Sequence, residues 1–272
     1  MRELCVNSRG VRAASQREGW GLCKTSCSPM SPASTIQIRE ATLSDVPRLV
    51  ELNHAAYPDL IVDGAVFDPE QIEAHIGCFP RGQLVASRDG RMVGALSTFM
   101  PSPSIPVLGQ HTWLGITDGG LFLRHDPAGK TLYLADIYVD PDTRRSGVGQ
   151  ALYSALRDLC RSLDLAHVVA GGRLWGYSAA AGEMTAEQYV AEVARGVRVD
   201  PVLTSQLRAG FVVRGVLHDY LHDWRSKNFA TLLELMNPVY SARWASSAPP
   251  LEKPARVSVA ASAPGAYIRT PR

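Results

Sequence analysis

The sequence predicts an α/β fold: a mixed sheet of six to seven strands, parallel only near its middle and flanked by helices. Three observations predict it. Strand-like and helical patterns follow one another in the order β-α-α-β-β-β-α-β-α-β-β, the mark of a sheet covered by helices. Two runs, "TLYLADIYV" and "AHVVAG", are almost continuously apolar, as strands buried on both faces are. The first of these feeds directly into a glycine-bearing turn, "DPDTRRSGVGQAL", and then into an amphipathic helix.

Each element has its own signal. "TIQIRE" alternates and reads as the first strand. Thr42 or Ser44 caps a helix running to about His54, with Val46, Leu49, Val50 and Leu52 on its apolar side. "DPEQIEAHI" starts a second helix: Asp68 as N-cap, Pro69 in the first turn, Gln71 reaching back. "QLVASRDGRMVGALSTF" is a hairpin around Asp89-Gly90. The Pro- and Gly-rich segment 101–130 carries no clear period. After "TLYLADIYV" and the turn, Ala151, Leu152, Ala155, Leu156, Leu159 and Leu163 recur at helical spacing, and Cys160 falls on the same stripe. "AHVVAG" is the next buried strand. Thr185 to Gln188 forms a capping box for a short helix, and Asp200-Pro201 opens another that ends near Gly210. "FVVRGVL" and "FATLLEL" are the last two strands, joined by the polar loop His218–Asn228.

Composition bounds the function. The chain has 272 residues, 46% of them hydrophobic and 20% charged, as in globular proteins. A net charge of +2 supplies no basic field for nucleic acid. No apolar run is long enough for a bilayer, so no membrane partner is expected. The five cysteines show neither disulfide nor zinc spacing, so no metal site is expected and a reducing, cytoplasmic location is the default. Residues 1–34 and 239–272 lack periodicity and read as disordered tails around a folded unit at 35–238. A natural start at Met30, with an over-extended reading upstream, is a further possibility for the first of them.

The turn carries the chemistry. Gly147 and Gly149 lie at a strand-to-helix junction behind Arg144 and Arg145. A helix N-terminus presents unpaired N–H groups and the positive end of the helix dipole, and so binds phosphate. The spacing is neither that of a nucleotide-hydrolase P-loop nor that of a dinucleotide fingerprint. The bland alternative is a turn that needs glycine only for its geometry.

Arg144-x-x-Gly147-x-Gly149, preceded by "ADIYVDPD", resembles the acyl-CoA motif of the GNAT superfamily of N-acyltransferases. "IQIREATLSDVPRLVELN" and "SQLRAGFVV" look like that superfamily's first strand and helix and its late helix and strand. The resemblance implies that the two central parallel strands splay apart. It implies acetyl-CoA, or another acyl-CoA, as cosubstrate. The pyrophosphate would lie on the amides of Arg145, Ser146, Gly147, Val148, Gly149 and Gln150. The pantetheine arm would pair with the backbone of Ile137, Tyr138 and Val139, and an N–H of that strand would hold the thioester oxygen. The acceptor would be a primary amine on a small molecule or peptide, and a homodimer is left open. "VVAGGRLWGY", "MTAEQYVAEV" and "DPVLTSQLRAGFVVRGVLHDYLHD" look like the GNAT domain found fused to nitrilase-type carbon–nitrogen hydrolases.

Amine acylation needs a neutral amine, so a proton acceptor is useful. Asp136, at a position where relatives carry Glu or Asp, is the candidate base; the alternative is a carboxylate satisfied by neighbouring amides or by Arg144. Gln206 aligns with the tyrosine that protonates the leaving thiolate in relatives; glutamine cannot act as an acid, though as a cofactor-site residue it can hydrogen-bond the sulfur, so either Tyr177 or water supplies the proton or the thiolate leaves unprotonated. Tyr57, Asp63, Arg173, Tyr177 and Asp219 are weaker acceptor-site candidates, with His218 and Tyr220 beside Asp219. Three readings follow: an acetyl-CoA-dependent N-acyltransferase, a non-catalytic acyl-CoA-binding module, and a transferase of longer acyl chains.

Overall fold

The computed structural model describes residues 35–61 and 65–240. The two predicted tails and Asp63 therefore lie outside the described residues, apart from 239 and 240, the first two residues of the segment expected to begin at 239. Seven strands form one sheet: β1 (Ile36–Glu40), β2 (Gln83–Arg88), β3 (Arg91–Phe99), β4 (Thr131–Val139), β5 (His167–Arg173), β6 (Val212–Leu217) and β7 (Ala230–Met236). Their spatial order is β1-β2-β3-β4-β5-β7-β6. Only β4 and β5 are parallel; every other neighbouring pair is antiparallel.

The helices α1 (Val46–Ala56) and α2 (Pro69–Cys78) pack on one face, with α1 against β3 and β4. A short helix, α3 (Trp113–Thr117), forms inside the segment whose sequence gave no period. Thr112 caps it, and Trp113 anchors it: its indole N–H donates to the Ala135 carbonyl at 3.1 Å and its main-chain N–H to the Tyr220 carbonyl at 2.7 Å. The opposite face carries α4 (Val148–Ser162), α5 (Ala186–Ala194) and α6 (Leu203–Arg208). Val148, Leu152, Leu156, Leu159 and Cys160 are the buried stripe of α4, and Ala155 and Leu163 lie at its margin.

The capping predictions are matched in detail at Asp68/Gln71 and Thr185/Gln188, where both reciprocal bonds form. At the start of the chain a single turn, Leu43–Asp45, precedes α1, because Asp45 turns back to bond the Thr42 N–H and ion-pairs with Arg39. Asp200 starts α6 three residues later than the sequence suggests. Its Oδ1 accepts from the amides of Val202 and Leu203, so the helix begins at Leu203.

Two irregularities shape the centre. The β4–β5 pairing covers only Thr131–Leu134 against His167–Ala170, although both strands run on to Val139 and Arg173. The strands thus part beyond Leu134 and Ala170, leaving a V open between their C-terminal halves. On the other side of β4, Ser97 pairs with Asp136 and Thr98 with Leu134, so Ala135 is an extra residue in the ladder. Such a bulge shifts the alternation of side chains by one. Tyr133 and Ala135 face α1, and with the bulge Asp136 faces it too.

Candidate active site

The V opens into a cleft of about 880 Å³ that runs from the β4–α4 turn to the ends of β4 and β5. At the turn, Arg145 and Gly147 both have positive φ, 63° and 90°. Backbone of this kind curls successive N–H groups toward one side. The first helical bond of α4 runs from Ala151 N–H to the Gly147 carbonyl, so the amides of Val148, Gly149 and Gln150 have no partner within the helix. The turn is held from behind: Arg88 binds the Ser146 carbonyl at 2.6 Å, and the Ser146 hydroxyl donates to Thr143. Buried Asp140 accepts from Asp142 N–H and ion-pairs with Arg91 and Arg48. Arg144 reaches the Ala56 carbonyl at the end of α1, and Arg145 lines the cleft.

The two glycines have different reasons. Gly147 needs its positive φ. Gly149 has no such need: a Cβ there would meet only Val139 Cγ2, at an ordinary 3.9 Å. A glycine inside a helix costs about 1 kcal/mol relative to alanine. Nothing in the protein's own packing compensates that cost, so the empty space lies toward the cleft. The residues fit a pyrophosphate.

Along β4 the bonding alternates. Asp140 N–H donates to the Val93 carbonyl of β3, so the alternate residues Ile137 and Val139 turn their main-chain groups to the open edge, and Tyr138 turns its own to β3. The predicted three-residue docking edge is thereby narrowed to Ile137 and Val139, with the Tyr138 side chain in the cleft wall. The Ile137 groups are already engaged: Asp136 Oδ1 accepts from its N–H at 2.8 Å, and Tyr57 donates to its carbonyl at 2.8 Å. An arm pairing here would replace these bonds.

Asp136 sits where bulge, cleft and α1 meet. Asn53 Nδ2 donates to its Oδ2 at 2.8 Å, and Tyr57 donates to its Oδ1 at 2.7 Å. Asn53 is fully buried, and its own Oδ1 accepts from the Phe67 amide, which fixes the amide group with its NH₂ toward Asp136. Burial raises the Asp136 pKa from 3.8 to about 6, against the hydrogen bonds from Tyr57, Asn53 and Ile137, which lower it. Burial, then the Asp136 charge, holds the Tyr57 phenol well above its ordinary range, so Tyr57 stays a donor. The predicted partner Arg144 is not among the bonds to Asp136. Asn53 was missed in the sequence because the strand bulge that brings Asp136 to it leaves no local pattern.

The end of the cleft is built around glycines. A Cβ at Gly171 would lie 2.2 Å from Tyr220 Cζ, and one at Gly172 would lie 2.2 Å from Gln206 Oε1. The pair "GG" thus admits two side chains from other elements at the point where the strands part. Gln206 is buried on α6, lines the cleft, and its Oε1 has no hydrogen-bond partner among the described residues.

Other candidates are placed differently. Arg173 lines the cleft, but its guanidinium is spent on Asp223 and Asp59, each at 2.9 Å. Arg225 joins Asp59 at 3.0 Å and stacks between Trp175 and Trp224, 4.5 Å from each ring. Trp175 is itself exposed in that stack. Tyr177 is outside the cleft wall: it is buried against Tyr189 and Phe229 and donates to the Met184 carbonyl. Asp219 is exposed at a positive-φ turn, while its neighbour Tyr220 enters the cleft. Asp63 lies outside the described residues.

Comparison with known proteins agrees with this geometry. The acetyltransferase (GNAT) family pattern matches residues 46–177. Over 207 residues the chain is 35% identical to the uncharacterized N-acetyltransferase YkwB of Bacillus subtilis, covering 75% of this chain and 90% of that protein. It is 34% identical over 204 residues to the probable hydrolase YhcX of the same organism, covering 75% of this chain but only 39% of that larger protein. The GphF GNAT-like decarboxylase in complex with isobutyryl-CoA superposes with a TM-score of 0.60 at 23% identity, over 74% of this chain and 99% of that one. The chain belongs to the GNAT family of acyltransferases, and acyl transfer is the chemistry its fold serves. No helix among the described residues is long and apolar enough to cross a membrane.

Proposed function

We propose that the protein is an acetyl-CoA-dependent N-acyltransferase that acylates a primary amine of a small molecule or peptide in the cytoplasm. The observation that carries this reading is the single cleft that joins a phosphate-binding turn to a buried carboxylate. The cosubstrate supplies an activated acyl group as a thioester. The amides of Val148, Gly149 and Gln150, with Arg145, bind the diphosphate. The Ile137 and Val139 edge of β4 orients the arm. Asp136, with a pKa of about 6, accepts a proton from the incoming ammonium and returns it to solvent. Asn53 and Tyr57 hold that carboxylate in place.

Calorimetry with acetyl-CoA and CoA, then release of free CoA across a panel of amines, tests the reading. Binding with turnover on an amine supports it; absence of CoA binding ends it. Gln206 at the place of an expected acid favours a second reading, a non-catalytic acyl-CoA-binding module, which predicts tight binding without turnover. Longer acyl groups form a third arm of the same screen, since a fold relative is described with isobutyryl-CoA.

A further inference from the structure

We propose that Tyr220, Tyr133 and His111 form a proton relay that takes a proton from the amine and returns it to the departing sulfur. The inference rests on the transferase reading above and assigns the acid that Gln206 cannot provide.

The chain of contacts is continuous. The Tyr220 ring lies against Gly171, the first β5 residue beyond the last β4–β5 pair, and lines the cleft there. Its hydroxyl is 3.1 Å from that of Tyr133, and the Tyr133 hydroxyl is 2.8 Å from His111 Nε2. Tyr133 is fully buried, and His111 is partly exposed at the far end. His111 Nδ1 is 2.9 Å from the Gly109 carbonyl. A carbonyl only accepts, so Nδ1 carries the hydrogen and Nε2 offers its lone pair. Tyr133 therefore donates to His111 and Tyr220 donates to Tyr133, which leaves the Tyr220 oxygen as an acceptor facing the cleft.

That orientation sets the direction of the first transfer. As the amine forms its bond to the acyl carbon, its N–H proton passes to Tyr220. The Tyr220 proton passes to Tyr133 and the Tyr133 proton to His111 Nε2, so the ring becomes an imidazolium. Every hydrogen in the chain now points the other way, and Tyr220 donates into the cleft. When the carbon–sulfur bond breaks, its electron pair stays on sulfur, and the chain runs back to deliver one proton there. One proton has moved from nitrogen to sulfur, and His111, Tyr133 and Tyr220 are restored.

The groups around His111 suit this use. Tyr133 from β4 and Tyr220 from the β6–β7 loop face it, and both phenols are pushed up by burial and stay neutral. Asp136 acts on Tyr220, raising it further. Burial lowers His111, against the Gly109 hydrogen bond, so the ring is neutral and able to accept near pH 7. A cluster that merely satisfied the Tyr133 hydroxyl would need neither a path to the cleft nor a titratable group at its outer end.

The test uses the full chain, acetyl-CoA and an amine that the screen identifies. His111→Gly is expected to lower kcat about 10²-fold, the low end for losing acid–base catalysis, with CoA affinity unchanged by calorimetry. Added imidazole is expected to restore a large part of the rate. Tyr133→Phe should lose a comparable factor and gain nothing from imidazole, because its break lies inside the chain. Independently of turnover, the His111 Nε2 resonance of ¹⁵N-histidine-labelled protein should shift when CoA binds, and the shift should vanish in Tyr133→Phe. If Tyr133→Phe does not fold, the His111→Gly rate and its imidazole response decide. Unaltered kcat in His111→Gly, or a His111 resonance indifferent to bound CoA, overturns the relay and leaves the transferase reading standing. Absence of CoA binding in the wild type overturns both.

Discussion

Asp136 and Gly149 carry the two sharpest residue-scale expectations. Three donors converge on the Asp136 carboxylate, from Asn53, Tyr57 and the Ile137 amide, yet burial outweighs them and holds its pKa at about 6. A base works in its deprotonated form, so kcat should rise with pH through about 6 and level off above it. Asp136→Asn should lower kcat by about 10²–10⁴ and abolish that limb, while acetyl-CoA binding changes little. A pH–rate profile of both proteins checks this; a mutant with the wild-type rate at neutral pH removes Asp136 from the mechanism. Gly149→Glu separates binding from folding. The new Cβ meets only Val139 Cγ2 at 3.9 Å, and glutamate suits the first turn of a helix. The melting temperature should hold or rise, whereas CoA affinity should fall by about tenfold or more as the charge enters the pyrophosphate cradle. Unchanged affinity in the folded variant refutes the placement of the diphosphate.

Between elements, the ion-pair cluster around Arg173 decides how the mouth of the cleft is held. Arg173 ends β5, Asp59 follows α1, and Asp223 and Arg225 belong to the β6–β7 loop, so four side chains fasten three segments at the rim. Asp223 has no exposed side-chain surface and is held ionised: burial raises its pKa, and the bonds from Arg173 and Ser226 more than offset this. Arg173→Met strands that charge. Removal of one partner from a buried pair costs about 3–5 kcal/mol, and urea denaturation of the variant should show a loss of this order. A loss under about 1 kcal/mol, the scale of exposed pairs, would mean the cluster is not sealed from water. The same spending of Arg173 on carboxylates leaves it without a free fork for an acidic acceptor, and Tyr57, Trp113 and Tyr220 give the cleft an aromatic lining.

For the whole molecule, a chain trimmed to Met30–Tyr240 should melt at the same temperature as the full chain and bind CoA equally well, because the sequence outside these limits offers no apolar face to dock; insolubility or lost binding would assign an outer segment to the fold. Most of the architecture was legible without coordinates. Capping boxes at Asp68 and Thr185, the Asp89-Gly90 hairpin and the stripe of α4 are local codes, in which residues within one or two turns satisfy each other's bonds. The turn Arg144–Gly149 belongs with them, since a strand, a glycine and a helix N-terminus are consecutive in the chain. The arrangement of the candidate site was another matter. The bulge at Ala135 turns Asp136 toward Asn53 and Tyr57, residues 83 and 79 positions away. Tyr220 meets Tyr133 across 87 positions, Arg173 is consumed by Asp59 across 114, and α3, in a segment with no period of its own, is tied by Trp113 to Ala135 and Tyr220. Sequence determined which elements form and which turn is the candidate phosphate site, because neighbours in the chain settle those questions. Tertiary structure alone decided which side chains share the cleft, because that depends on where two strands part and where one ladder slips by a residue.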